Sequence, residues 1–177
     1  MRVIFLDRDG VINKYPGDRA YVTSLRKFKF LPGAKKAISL LSKAGFKIFV
    51  ASNQAGVGRG VYSQRTLDQI TAYMLEEVNK AGGHIDKAYY CTHRKDAGCS
   101  CRKPRPGMLK KAAREFNLSL KNAYFVGDTD RDIHTAHNAG CKPILVTCGA
   151  NKGDGSILPD LVFDNLLEAA KYLLKRA

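Results

Sequence analysis

Apolar residues gather in five short runs along the chain, and polar or turn-forming residues follow each run. "RVIFL" (2–6) gives way to "DRDG", and "FKIFVAS" (46–52) to the glycine-rich "NQAGVGRG". "KAYYC" (87–91) opens a cysteine-rich loop, "AYFVG" (123–127) runs into "DTDRD", and "PILVT" (143–147) is the fifth. Short apolar runs of this kind, bounded by turn signals, predict buried strands. The intervening segments carry a different period. Ala34, Ala37, Ile38 and Leu41 stand at helical spacing, with Pro32 near the start and Gly45 as the stop. Ser63 suits an N-cap, and Leu67, Ile70, Met74 and Val78 recur at threes and fours, predicting a helix from 63 to about 81. Pro106 opens a helix through Phe116, "DIHTAHNAG" reads as a short helix closed by Gly140, and "DNLLEAAKYLLKR" as a final one.

Strands that alternate with helices and are almost wholly apolar predict an α/β fold: a doubly wound, Rossmann-like parallel sheet with helices on both faces. Without internal repeats, low-complexity stretches or a long linker, residues 1–177 are expected to form one domain. Sheets of this type bind ligands beyond the carboxyl ends of their strands. That is where the polar clusters of this chain fall.

Composition changes this picture in three places. No apolar run approaches the ~20 residues of a membrane span, and "MRVIFLDRDG" reaches charge too soon for a secretory signal, so the expectation is a cytoplasmic protein with no membrane partner. The net charge of +14 suits a phosphorylated small substrate or a nucleic acid; the lysines are spread, with no basic tail and no aromatic-interleaved stripe, which favours the small substrate. Five cysteines, three of them within eleven residues, argue for metal in a reducing compartment rather than disulfides. Cys141 and Cys148 stand apart and are read as small buried hydrophobes.

Asp7 and Asp9 follow the first strand, and two neighbouring carboxylates there repel unless a cation lies between them; hard oxygen donors suit Mg²⁺. Asp128 follows the fourth strand, with Asp132 one helical turn on. Ser52 and Asn53 end the second strand as donors for a phosphate oxygen, and Lys103 follows the cysteine loop. Taken singly, each has a bland explanation: an Asx turn at Asp9-Gly10, a helix cap at Asp130, a loop hydroxyl, a solvated lysine. Four such coincidences at the ends of successive strands argue otherwise.

In this order, Asp7-x-Asp9, Ser52, Lys103 and Gly127-Asp128 with Asp132 resemble the four motifs of the haloacid-dehalogenase superfamily of phosphatases, over residues 3 to about 147. The resemblance implies a Mg²⁺-dependent phosphomonoesterase with Asp7 as nucleophile, forming an aspartyl-phosphate, and Asp9 as acid and base. It implies Mg²⁺ held by Asp7, Asp128 and the backbone carbonyl of Asp9, with Ser52 and Lys103 on the phosphoryl oxygens and Asp132 orienting Lys103 or a metal-bound water.

Cys91-x-His93 and Cys99-x-Cys101 supply three thiolates and an imidazole, the donor set of a closed tetrahedral Zn²⁺ site. Such a site keeps no position for substrate, so the loop is expected to act as a staple that fixes Arg102 and Lys103 at the cleft. The loop, with "CRKPRPGM" and "NQAGVGRG", resembles the subgroup of that superfamily containing heptose-bisphosphate and histidinol-phosphate phosphatases. This implies a small sugar-phosphate substrate, foremost a heptose 1,7-bisphosphate losing its C7 phosphate, with Arg102 on the second phosphate and Arg59 assisting. The stretch Lys14–Phe28 would serve as a minimal cap, lined by Tyr15 and Tyr21, on a monomeric enzyme. Histidinol phosphate and a nucleic-acid 3′-phosphate stand as alternative substrates. A non-catalytic RNA-binding module is the alternative of another class; no base-stacking platform supports it.

Overall fold

The structure, a computed structural model, describes residues 1–18, 20–149 and 155–176. The strands are β1 (Arg2–Leu6), β2 (Phe46–Asn53), β3 (Lys87–Cys91), β4 (Tyr124–Gly127), β5 (Lys142–Val146) and β6 (Leu161–Phe163). The helices are α1 (Ala34–Lys43), α2 (Gln64–Lys80), α3 (Gly107–Phe116), α4 (Asp130–Ala139) and α5 (Leu166–Leu174). All strand pairs are parallel, in the order β3-β2-β1-β4-β5-β6. The five expected strands and five expected helices are present. The sixth strand, at the sheet edge, and a 3₁₀ turn at Leu25–Lys27 were not foreseen.

Strand alternation builds a core on each face. Ile4, Leu6, Ile48, Val50, Val126, Ile144 and Val146 pack against α1, α2 and α5. Val3, Phe5, Phe49, Ala51 and Phe125 pack with Met108, Leu109 and Ala112 of α3 and Ala136 of α4. Successive side chains on a strand point to opposite faces, so a strand covered on both must be apolar throughout. Capping residues fix helix entries: Ser63 Oγ accepts from Thr66 N, and Asn165 Oδ1 accepts from Leu167 N and Glu168 N. Among the described residues no helix is long and apolar enough to cross a membrane.

From β1 the chain winds outward through β2 and β3, then returns to β4 on the other side of β1 and winds away through β5 and β6. The reversal point therefore lies between β1 and β4, where adjacent loops separate and leave a crevice. Asp7 and Asp128 are the first residues beyond these two strands.

Candidate active site

A cleft of about 490 Å³ opens over the carboxyl ends of β1, β2 and β4. Asp7, Asp9, Ser52, Asn53, Arg102, Lys103, Asp128 and Asp132 all line it. Its floor is a group of three buried acids, Asp7, Asp128 and Asp132, each offering an oxygen within 4.8 Å of the others.

One buried cation answers them. Lys103 Nζ lies 2.9 Å from Asp7 Oδ2 and 2.6 Å from Asp132 Oδ1, over the Phe125 ring at 5.4 Å. Burial by itself would lower the proton affinity of this ammonium, but Asp132 and Asp7 outweigh it and raise it, so Lys103 stays charged. Asp132 Oδ2 accepts from Thr129 N at 3.2 Å and Thr129 Oγ1 at 2.7 Å. Both its oxygens are thus engaged, which fits a carboxylate that orients Lys103. Thr129 is the residue that precedes and caps α4, so the bland reading of Asp130 as the cap does not hold.

Three carboxylates and one lysine leave an excess of negative charge in a dry site. Burial, then Asp7 and Asp132, push the Asp128 carboxyl up to about 8. Burial likewise raises Asp7 against the opposing pull of Lys103. Asp128 Oδ2 is buried without a hydrogen-bond partner, an expensive condition for a carboxylate oxygen. Backbone presses close to it on two sides. A Cβ added at Gly10, whose φ is +90°, would lie 1.9 Å from Asp128 Oδ2, and one at Gly149 would lie 2.1 Å from the same atom. An orphaned oxygen, a charge excess and all-oxygen donors fit a hard divalent cation.

The Asp9 carboxylate lies outside the group of three and accepts from Arg8 Nε at 3.1 Å, Asn13 Nδ2 at 2.8 Å and Gln54 Nε2 at 2.9 Å. The part of Asp9 expected to meet the metal is its main-chain carbonyl. Asn53 is also committed elsewhere: Oδ1 accepts from Lys103 N at 3.0 Å and Nδ2 donates to Lys103 O at 3.2 Å. It anchors the lysine's backbone, and a phosphate would have to compete for it. Arg59 borders a separate surface depression with Arg94 and Lys95 and only touches the cleft rim through Tyr21, at 3.5 Å. Tyr15, Tyr21 and Arg102 do line the cleft mouth.

Beside the mouth, Cys91, His93, Cys99 and Cys101 bring one donor atom each to within 4.8 Å of one another. Cys91 Sγ is 3.6 Å from both His93 Nδ1 and Cys99 Sγ, and 3.2 Å from Cys101 Sγ; His93 Nδ1 is 3.2 Å from Cys101 Sγ. A tetrahedral zinc with Zn–S bonds of about 2.3 Å needs donors roughly 3.8 Å apart, so small outward movements complete the geometry. Cys91 is the buried last residue of β3, which ties the loop to the sheet, and Cys101 at the far end of the loop lies two residues before Lys103. Arg105 Nη1 donates to Cys99 O at 2.7 Å and closes the base of the loop.

Comparison with known proteins agrees with this geometry. The HAD-hyrolase-like family model matches residues 100–169. The chain is 41% identical to a D-glycero-beta-D-manno-heptose-1,7-bisphosphate 7-phosphatase from Pseudomonas putida, over 98% of this chain and 100% of that one. A D-glycero-alpha-D-manno-heptose-1,7-bisphosphate 7-phosphatase from Campylobacter jejuni is 35% identical, over 99% and 97%. The crystal structure of D,D-heptose 1,7-bisphosphate phosphatase from B. bronchiseptica, complexed with magnesium and phosphate, superposes with a TM-score of 0.91 at 37% identity over the whole of both chains. With such identity running end to end, this protein is a phosphatase of the haloacid-dehalogenase superfamily and belongs to its heptose-1,7-bisphosphate 7-phosphatase family.

Proposed function

We propose that the chain removes the C7 phosphate of D-glycero-β-D-manno-heptose 1,7-bisphosphate, using Mg²⁺ in the acidic floor and a structural Zn²⁺ in the cysteine loop. The observation that carries the chemistry is the buried Asp7, paired with Lys103 at 2.9 Å beside the partnerless oxygen of Asp128. The β anomer is preferred here because the relative at 41% identity bears that name and the α-named relative is less similar.

Asp7 attacks phosphorus in line and becomes the aspartyl-phosphate, splitting a hard displacement into two easier ones. Lys103, already charged and held by Asp132, stabilises negative charge on the phosphoryl oxygens without reorganising, and Ser52 donates a hydroxyl to them. Asp9 gives a proton to the departing C7 oxygen, then takes one from the water that hydrolyses the aspartyl-phosphate. Asp7, Asp128 and the carbonyl of Asp9 would hold Mg²⁺, which offsets the repulsion between carboxylate and phosphate. Arg102, at the cleft mouth, binds the phosphate that stays on the sugar. Cys91, His93, Cys99 and Cys101 would hold Zn²⁺ and keep Arg102 and Lys103 in place.

The test is phosphate release, with Mg²⁺ and with EDTA, from both anomers of the heptose bisphosphate, histidinol phosphate and a 3′-phosphorylated oligonucleotide. A large kcat/KM preference for the β anomer is expected. Preference for histidinol phosphate or the oligonucleotide would overturn the substrate, and no turnover of any would overturn the activity.

A further inference from the structure

Beneath the cleft lies a polar network that the motif residues do not account for. Arg8 stands between the two motif aspartates, yet it is fully buried. Its Nη2 lies 3.0 Å from Asp9 Oδ1 and 3.1 Å from Oδ2, and its guanidinium carbon is 5.9 Å from the Tyr90 ring centre. The same Nη2 donates to Gln54 Oε1 at 2.9 Å. Tyr62 Oη reaches Gln54 Oε1 from another side at 2.6 Å. Gln54, itself buried, turns its Nε2 to Asp9 Oδ2 at 2.9 Å and to Ser52 Oγ at 3.2 Å.

The Gln54 amide fits one way round. A guanidinium has no acceptor and an ionised carboxylate has no donor. Exchanging Oε1 and Nε2 would set donor against donor at Arg8 in every state, and acceptor against acceptor at Asp9 whenever that carboxyl is ionised. The two donor and two acceptor positions of the Gln54 amide are all filled, although Arg8 Nη1 is buried without a partner, and a buried amide paired on every side is held rigidly. Leaving any of these atoms unpaired in the interior carries the full desolvation cost, so the amide does not wander.

We propose that Gln54 is a positioning residue for phosphoryl transfer: clamped by Arg8 and Tyr62, it sets the Asp9 carboxyl and couples its orientation to the Ser52 hydroxyl. The inference rests on the assignment of Asp9 as the acid and base of the proposed reaction. In the first step an Asp7 oxygen bonds to phosphorus as the phosphorus–oxygen bond to C7 breaks. The electron pair of that bond goes to the C7 oxygen, which takes the proton held by Asp9 and leaves as the alcohol. In the second, water oxygen bonds to phosphorus and gives a proton to Asp9 as the Asp7 carboxylate and inorganic phosphate separate. Both proton movements pass through Asp9, and both depend on the carboxyl facing the oxygen concerned. A displacement of roughly 1 Å at such a group is enough to cost about a hundredfold in rate.

The leaving group provides a readout that simple structural damage would not move. An alkoxide departs with a proton, whereas p-nitrophenolate needs none. The measurement is kcat/KM, which covers the steps through transfer to Asp7, for the heptose bisphosphate, a simple primary alkyl phosphate and p-nitrophenyl phosphate. Gln54→Met is expected to lower the alkyl values about thirtyfold and the aryl value by less than about threefold. Tyr62→Phe, which removes one hydrogen bond and keeps the ring, is expected to lower the alkyl-to-aryl ratio about threefold. Equal losses with alkyl and aryl esters, or no loss with either, would overturn the proposal. If Gln54→Met does not fold, Tyr62→Phe decides alone, and an unchanged ratio overturns it. Asp9→Asn separates the two levels. Discrimination by Asp9→Asn without discrimination by Gln54→Met removes the inference alone; equal losses in Asp9→Asn remove the acid assignment and the inference with it.

Discussion

Two groups of side chains with donors suited to a metal ion stand side by side in this molecule, and they are built in opposite ways. The acid floor collects Asp7, Asp128 and Asp132 from two strand ends and a helix more than a hundred residues apart in sequence, and buries all three. The cysteine group takes its four donors from residues 91–101, and only Cys91 is buried. The first is assembled by the sheet and exists because the sheet does. The second is a local loop whose donors are neighbours in sequence. The fold preorganises the first site, whereas the second would draw added order from an ion held by its four donors.

Experiments that separate the two sites can break this contrast. The largest effect is expected from Asp7→Asn, which should cut turnover by at least about 10⁴-fold while the melting temperature holds or rises, since a buried charge is removed. Steady-state phosphate release and thermal unfolding on the same preparation check it; a collapse of the fold would mean the floor is structural after all. Withholding Mg²⁺ should reduce turnover by about a thousandfold, with far-UV circular dichroism unchanged. Cys99→Ser should act differently, lowering kcat/KM by about 10–100-fold, reducing the bound zinc and making the 91–101 loop sensitive to proteolysis. Metal content by mass spectrometry and the site of first cleavage would show it. The smallest effect is expected at the rim, where Arg102→Ala should raise KM for the bisphosphate about tenfold with kcat unchanged, and leave KM for a monophosphate alone.

The contrast also explains which parts of the molecule were legible in the sequence. Asp7, Ser52 and Asp128 could be read because each ends or follows an apolar run, and the parallel sheet brings such ends together; Lys103 could be read because it follows the cysteine loop. The cysteine group was legible because its donors are neighbours in sequence. β6 was not: three residues, "LVF", are too short for a period, and they become a strand by pairing with β5. Arg8 and Gln54 were not, because their partners come from separate segments. An arginine between two aspartates looks solvated until Tyr90, Tyr62 and Gln54 are placed around it. Asn53 is expected to donate to a phosphate oxygen and Arg59 to assist Arg102; in the structure Asn53 pairs with the backbone of Lys103, and Arg59 borders a depression beside the cleft.

The peptide walls around Asp128 have a consequence for how this chain can change under selection. At Gly10 and Gly149 any side chain would collide with the carboxylate oxygen, so heritable variation has almost no room on the cleft floor. Tyr15, Tyr21 and Arg102, at the rim, face no such limit. Descendants of this protein can therefore explore new alcohols to dephosphorylate while inheriting the same phosphorus chemistry unaltered.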